Sequence, residues 1–213
     1  HISDKINHFV EKNKIKADII SSHGHTVFHD PSKKITLQIG SGKVINELCK
    51  ITTVNNFRKI DIDLGGQGAP LVPIGDKLLF QQYKYCLNIG GFANLSVKAN
   101  NSVKAFDICP ANIALNFYCR KLGKEFDSGG EISRSGNMIK SLYDELNKIQ
   151  FYSSNSPKSL SREWFEQNFL TKVSSSFKVK DILRTVVEHI AFQIGTNLKS
   201  QKTLVTGGGA KNK

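Results

Sequence analysis

The chain has 213 residues, enough for one large domain or two small ones, and its 39% hydrophobic content suits a packed core rather than a disordered chain. Lys and Arg number 30 against 18 Asp and Glu, a formal net charge of +12. The lysines fall singly, without a basic block or a basic stripe interleaved with aromatics, which excludes the usual patterns for nucleic acid and reads as a solvated surface.

No stretch approaches the roughly 18 apolar residues of a membrane span, and no charged-then-apolar leader opens the sequence. Cys49, Cys86, Cys109 and Cys119 are widely separated and form no Cys-x-x-Cys pair. That usage fits reduced thiols in a cytoplasmic protein better than a zinc or redox site.

Strand-like and helix-like segments alternate, which predicts an α/β fold. Residues 17–22 (ADIISS) read as a short buried strand running into Ser22-His23-Gly24-His25-Thr26, and residues 35–39 (ITLQI) as a second strand. Residues 78–80 are apolar and could bridge two lobes. Residues 85–89 (YCLNI) open a new strand stopped by Gly90-Gly91, and 94–99 with 102–106 form a hairpin turning at Asn100-Asn101. Helices are expected over 112–122, closed by Gly123, over 137–149, and over 180–198, where Leu183, Val187, Ile190, Ile194 and Leu198 share one face. A strand at 203–206 then leads into Gly207-Gly208-Gly209. The expected division lies near residue 84, with residues 1–84 in one lobe and 85–213 in the other.

Five glycine-rich turns punctuate the chain: Gly40-Ser41-Gly42, Gly65-Gly66-Gln67-Gly68, Gly90-Gly91, Gly129-Gly130 and Gly207-Gly208-Gly209. Such turns let backbone N–H groups converge on phosphate, or serve simply as tight turns. Neither common nucleotide template fits. Leu37 stands where a P-loop needs its first glycine and Val44 where it needs Ser or Thr, while Asn212 stands where a G-x-G-x-x-G fingerprint starting at Gly207 needs its last glycine.

Among candidate chemical groups, Asp107 falls between an expected strand ending at Phe106 and Pro110, a place for a carboxylate that accepts a proton, or for one that caps a helix. His23, His25 and His29 carry an H-x-H-x-x-x-H spacing, but no further ligands for a metal are evident, so pocket lining or structural hydrogen bonding is the better expectation and no metal site is assigned. Pro157-Lys158-Ser159 with Arg162 reads either as a turn and helix start or as a source of cations for a phosphate or carboxylate.

Taken in order, several motifs resemble the anhydro-N-acetylmuramic acid kinase family. They are Ser22-His23-Gly24-His25-Thr26, Leu37-Gln38-Ile39-Gly40, Phe57-Arg58 with Asp61, and the run from Gly65 through Pro70 to Pro73. Leu87-Asn88-Ile89-Gly90-Gly91-Phe92-Ala93-Asn94, Phe106-Asp107, Pro157-Lys158-Ser159, Arg162-Glu163 and Gly207-Gly208-Gly209-Ala210 complete the set, which spans nearly the whole chain.

The resemblance implies a two-lobed actin-like ATPase (ribonuclease-H-like) fold, here incomplete at both ends. It implies a kinase that uses ATP and Mg²⁺ to open 1,6-anhydro-N-acetylmuramic acid hydrolytically and phosphorylate O6, in cell-wall recycling. Asp107 matches the catalytic base. Asn88, Gly90 and Gly91 match a phosphate turn, and Gly207, Gly208 and Gly209 the adenosine turn. His23, His25, Thr26, Arg58, Asp61 and Gln67 match sugar-pocket positions. The implied partners are the amino sugar and ATP, without nucleic acid or membrane, and a homodimer is among the assemblies allowed.

Three departures stand out. The family's first phosphate loop, Gly-Thr-Ser-x-Asp-Gly, is absent. Cys109 and Ala111 replace both glycines of the family's Asp-x-Gly-Pro-Gly-Asn, and His25 stands where glutamine is common. The alternatives are another N-acetylhexosamine kinase of the same superfamily and a non-catalytic nucleotide-binding or muropeptide-sensing relative.

Overall fold

The computed structural model describes residues 1–30, 33–66, 68–100, 102–156 and 158–212. Two compact units divide between Leu71 and Val72.

The first unit holds α1 (Ile2–Lys12), β1 (Ile19–Ser21), β2 (His25–Asp30), β3 (Ile35–Ile39), α2 (Gly42–Cys49), β4 (Thr52–Val54) and α3 (Phe57–Asp63). β1 pairs in parallel with β4, and β2 pairs antiparallel with β3 across an irregularity between Thr26 and Phe28. α2 starts where the Ser41 hydroxyl accepts from the Val44 N–H, a side-chain cap, and ends at Lys50 in the left-handed region. Among the described residues of this unit, only Ile45 and Ile62 are large apolar side chains that are fully buried. Phe28, Ile35, Leu37 and Ile39 are all exposed.

The second unit begins with α4 (Val72–Leu79), followed by β5 (Tyr85–Ile89), β6 (Phe92–Ala99), β7 (Ser102–Pro110), α5 (Asn112–Arg120), α6 (Glu131–Arg134), α7 (Lys140–Asn147), α8 (Arg162–Trp164), α9 (Val179–Asn197) and β8 (Thr203–Thr206). Its sheet runs β7-β6-β5-β8, with β5 parallel to β8 and antiparallel to β6. β5 is central and buries Tyr85, Cys86 and Leu87 in succession, because a strand flanked on both sides has no solvent face to give to polar residues. One contiguous core joins the sheet to α5, α7 and α9 through Leu95, Ile108, Leu115, Leu142, Leu146, Phe169, Leu183 and Val186.

Several sequence expectations shift at their ends. The division falls before α4 rather than near residue 84: α4 packs against β6 and β7, and the Lys98 ammonium donates to the carbonyls of Asp76 and Phe80. The residues proposed as a bridge therefore form the end of a helix. β7 also runs through Asp107 to Pro110 instead of stopping at Phe106. A proline is tolerated there because β7 is the sheet edge, so the missing N–H breaks no ladder on the outer side. The helix expected from residue 137 starts at Lys140, and the hairpin turn at Asn100-Asn101 includes Asn101, which lies outside the described residues.

Candidate functional site

In the first unit, α3 and the glycine run after it build a polar cluster. Arg58 and Asp61 are three residues apart and so share a face of α3. Arg58 Nε donates to His23 Nε2 at 3.0 Å, and its Nη1 donates to the Gly68 carbonyl at 2.7 Å. The Gly68 N–H in turn donates to Asp61 Oδ2 at 2.6 Å. Gly68 has φ +64° and is tightly enclosed: an added Cβ would meet Ile62 Cγ1 at 2.7 Å. A side chain is excluded by both conformation and space.

The helix and loop thus grip each other through one guanidinium and one carboxylate. His23, Arg58 and Asp61 are joined through Gly68 in one cluster. Thr26 is half-buried and receives a long 3.4 Å bond from Gln38, and exposed His25 sits on β2 opposite Ile39. Gln67 lies outside the described residues. His23 is bonded to Arg58 and His29 to Thr36, and among the described residues no group of three His, Cys, Asp or Glu is arranged for a metal.

In the second unit, the parallel pair β5 and β8 brings two glycine turns side by side. Asn88 and Thr206 are in register, and Thr206 Oγ1 lies 3.4 Å from Asn88 Oδ1. Gly207 turns the chain at φ +87°, where an added Cβ would meet the Ile89 carbonyl oxygen at 2.5 Å. Glycine is required at that position. The Gly90 and Gly91 carbonyls accept the N–H groups of Asn112 and of Ala111 and Ile113, so this turn seats the start of α5. Asn112 Nδ2 donates to the Ile89 carbonyl at 3.1 Å.

Beside the turns opens a cavity of about 300 Å³, lined by Asn112, Asn116, Phe126, Gly208, Gly209 and Lys211 among others. The sequence reading picked out Gly208 and Gly209 here but not Asn112, Asn116, Phe126 or Lys211. Asn112 was legible as the last residue of the Asp107–Asn112 motif. The others carry no spacing that marks them.

At the two departures, Ala111 has φ −122° and ψ −102°, and its N–H donates to the Gly91 carbonyl at 2.8 Å. Cys109 is wholly buried, and burial pushes its thiol pKa up.

Asp107 faces Asn94 across the β6–β7 ladder. Its N–H donates to the Lys158 carbonyl at 2.9 Å, and its Oδ2 accepts the Leu160 N–H at 2.7 Å. Burial raises its pKa above the ordinary carboxylate range, and the Leu160 bond opposes that rise. A half-buried carboxylate with one oxygen held and a raised proton affinity has the properties of a general base. The two cations of this segment are engaged within the protein: Lys158 Nζ donates to the Phe151 and Tyr152 carbonyls, and Arg162 pairs with the Glu166 carboxylate at 2.9 Å.

The family model described as anhydro-N-acetylmuramic acid kinase matches residues 1–213. The chain belongs to that family. Its relatives include an anhydro-N-acetylmuramic acid kinase of Pseudomonas syringae pv. syringae, 38% identical over 218 residues that cover 95% of this chain and 60% of the relative. A protein of the same name from Haemophilus influenzae is 35% identical over 99% of this chain and 63% of its own length. Another from Vibrio cholerae is 36% identical over 91% and 56%. The chain therefore spans about 60% of the length of the curated relatives it matches.

Among solved structures, an activator of 2-hydroxyisocaproyl-CoA dehydratase from Clostridium difficile with bound ADPNP aligns over 91% of this chain and 80% of its own. It does so at 15% identity and a TM-score of 0.38, too slight a likeness to reason from. Among the described residues no helix is long and apolar enough to cross a membrane.

Proposed function

We propose that the protein of which these residues form part is an ATP-dependent kinase that opens 1,6-anhydro-N-acetylmuramic acid and phosphorylates its O6. The observation that carries this reading is Asp107: a partly desolvated carboxylate at a sheet edge, gripped through one oxygen, in a chain that matches the kinase family along its whole length. In this reading Asp107 takes a proton from a water that attacks the anomeric carbon. The bond from that carbon to O6 breaks, and O6 receives the γ-phosphoryl group, leaving ADP. ATP supplies the phosphoryl group, and the protein supplies position and charge.

The residues present fit a nucleotide. The two glycine turns lie next to a cavity of about 300 Å³ whose lining carries an aromatic ring, three asparagines and a lysine, and also Asp127, whose carboxylate is taken up by the Ile132 and Ser133 N–H groups. Gly208, Gly209 and Asn112 would hold the nucleotide there, with Asn88, Gly90 and Gly91 toward its phosphates. Mg²⁺ would come with ATP, held mainly by phosphate oxygens and water. His23, Arg58, Asp61 and Gly68 offer donors and an acceptor suited to a sugar carrying hydroxyls and a carboxylate, with His25, Thr26 and Gln67 in the adjoining segments.

An actin-like arrangement of two lobes follows the same family reading, as does a cytoplasmic location, where ATP is abundant and four free cysteines stay reduced. A homodimer is read by sedimentation of the whole protein.

The test is turnover. The whole protein is given ATP, Mg²⁺ and either the anhydro sugar or open N-acetylhexosamines. Phosphorylation of the anhydro sugar alone is expected; phosphorylation of open sugars alone overturns the ring-opening step, and no ATP binding by calorimetry overturns the kinase reading.

A further inference from the structure

A partly buried polar chain behind Asp107 plays no part in the reaction described above. At its far end, α9 carries His189, completely buried, with Nδ1 2.8 Å from Asn147 Oδ1 and Nε2 3.1 Å from the Tyr152 hydroxyl. Asn147 Nδ2 donates to the Tyr143 carbonyl, and Gln193 Nε2 donates to Asn147 Oδ1, so that oxygen is an acceptor. His189 Nδ1 therefore carries the proton, and Nε2 accepts from the Tyr152 hydroxyl. Burial pushes the imidazole pKa down to about 3, so the ring stays neutral and this arrangement does not switch near neutral pH. Tyr152 is thereby held by its hydroxyl, which leaves its carbonyl, like that of Phe151, to accept from another donor.

Both carbonyls accept the Lys158 ammonium, at 3.3 and 3.0 Å, and that ammonium also lies 4.7 Å from the centre of the Phe151 ring. Lys158 and Leu160 are in turn the residues that hold Asp107, one by its carbonyl and the other by its N–H. The path is continuous. It runs from α9 through Tyr152 to Lys158, and from the strap 158–160 onto the carboxylate.

We propose that Lys158 is a positioning residue: tied to the 151–152 carbonyls and backed by the Tyr152–His189 pair, it clamps the strap that orients the Asp107 carboxylate. This rests on the reading of Asp107 as the base. A strap bonded by one lysine to two carbonyls can be released without disturbing the sheet, because Asp107 remains on β7 whatever the strap does. Release frees Oδ2 from the Leu160 N–H and lets the carboxylate rotate, which matters for proton transfer and little for ground-state binding of sugar or ATP.

The experiment uses the whole protein with Lys158→Met, Lys158→Arg and Asp107→Asn in parallel, assayed with 1,6-anhydro-N-acetylmuramic acid and ATP. Amide exchange at Leu160 is followed alongside. Misplacing a reacting group by about 1 Å costs up to roughly 100-fold, so K158M should lower kcat by about 10- to 100-fold and leave both KM values within about threefold. The Leu160 amide should exchange faster while those of α9 stay protected. K158R, which keeps the donors, should recover most of the rate.

Normal kcat and normal Leu160 exchange in K158M, with D107N inactive, overturn the clamp alone. A D107N protein that turns over normally overturns the base reading and the clamp with it. Should K158M fail to fold, Tyr152→Phe deletes one hydroxyl from the chain. A fall in kcat with faster Leu160 exchange then supports the clamp, and unchanged values overturn it.

Discussion

The two units hold their candidate groups in opposite ways. In the first, His23, Arg58, Asp61 and Gly68 lie on a thin scaffold of two-stranded sheets with Ile45 and Ile62 as its large buried side chains, and polar bonds between side chain and backbone maintain the geometry. In the second, Asp107 rises from the edge of a four-stranded sheet packed on one large apolar core, and burial shifts its proton affinity. Recognition of a hydroxylated sugar needs accessible donors and acceptors, whereas a base that works near neutral pH needs desolvation and a rigid platform. If Asp107 is the base proposed above, the core sits under the group that needs the second.

The largest expected effect breaks the chemistry and spares the scaffold. Asp107→Asn should lower kcat by about 10²- to 10⁴-fold with sugar and ATP affinities nearly unchanged, since the amide oxygen still accepts from Leu160 but cannot take a proton. Stability should move the other way. The folded pKa of Asp107 is raised, so its favourable contribution is present at low pH and lost as pH rises through that raised value. Denaturant unfolding at neutral pH should find D107N at least as stable as the unmodified protein.

Next comes the contrast in packing. Phe169→Ala empties a fully buried site and should cost about 3–5 kcal/mol in equilibrium unfolding. Leu37→Ala, on an exposed position of β3, should stay within about 0.5 kcal/mol. Equal costs would mean that the first unit buries β3 when the whole protein folds.

His189 sharpens the same contrast through pH. Its folded pKa is depressed from 6.5 to about 3, so the stability tied to its neutral form is present above pH 6.5 and is lost as pH falls toward 3. Unfolding midpoints of the second unit should decline over that window, and His189→Gln should flatten the decline.

In the first unit, Gly68→Ala must place a side chain at φ +64° against Ile62, a strain of roughly 1–3 kcal/mol. If the cluster binds sugar, the sugar KM should rise by about tenfold or more while kcat holds. Smallest of all, Lys59→Ala removes an exposed i,i+4 pair with Asp63 and should cost no more than about 0.5 kcal/mol in thermal unfolding.

Much of this was legible along the chain. β3, β5 and β8 fall where alternation or apolar runs put them, but burial explains the apolar run only in β5, since Ile35, Leu37 and Ile39 of β3 are exposed and β8 buries no residue fully. α9 was also readable, although its buried face carries Thr185, His189 and Gln193 beside Ile182, Leu183, Val186 and Ile190. Polar residues on a core face read as surface until their partners are known. Asn147 and Tyr152 lie 42 and 37 residues from His189, so periodicity carries no trace of the bonds.

The motifs themselves singled out the glycine turns, Arg58, Asp61 and Asp107, since tight turns are local properties of a few residues; the strand end expected at Phe106 was not legible, because β7 continues to Pro110. The family followed from those motifs in order. What the tertiary structure decided was partnership. The parallel pairing of β5 with β8 sets Gly90 beside Gly207 across more than a hundred residues, and Leu160 reaches Asp107 across 53. It also decided that Lys158 faces two carbonyls rather than an anion, and that α4 belongs to the second unit. Local patterns record which face of an element is buried; only the closed chain determines which donor meets which acceptor, because each buried polar group must find its partner wherever the fold brings one within reach.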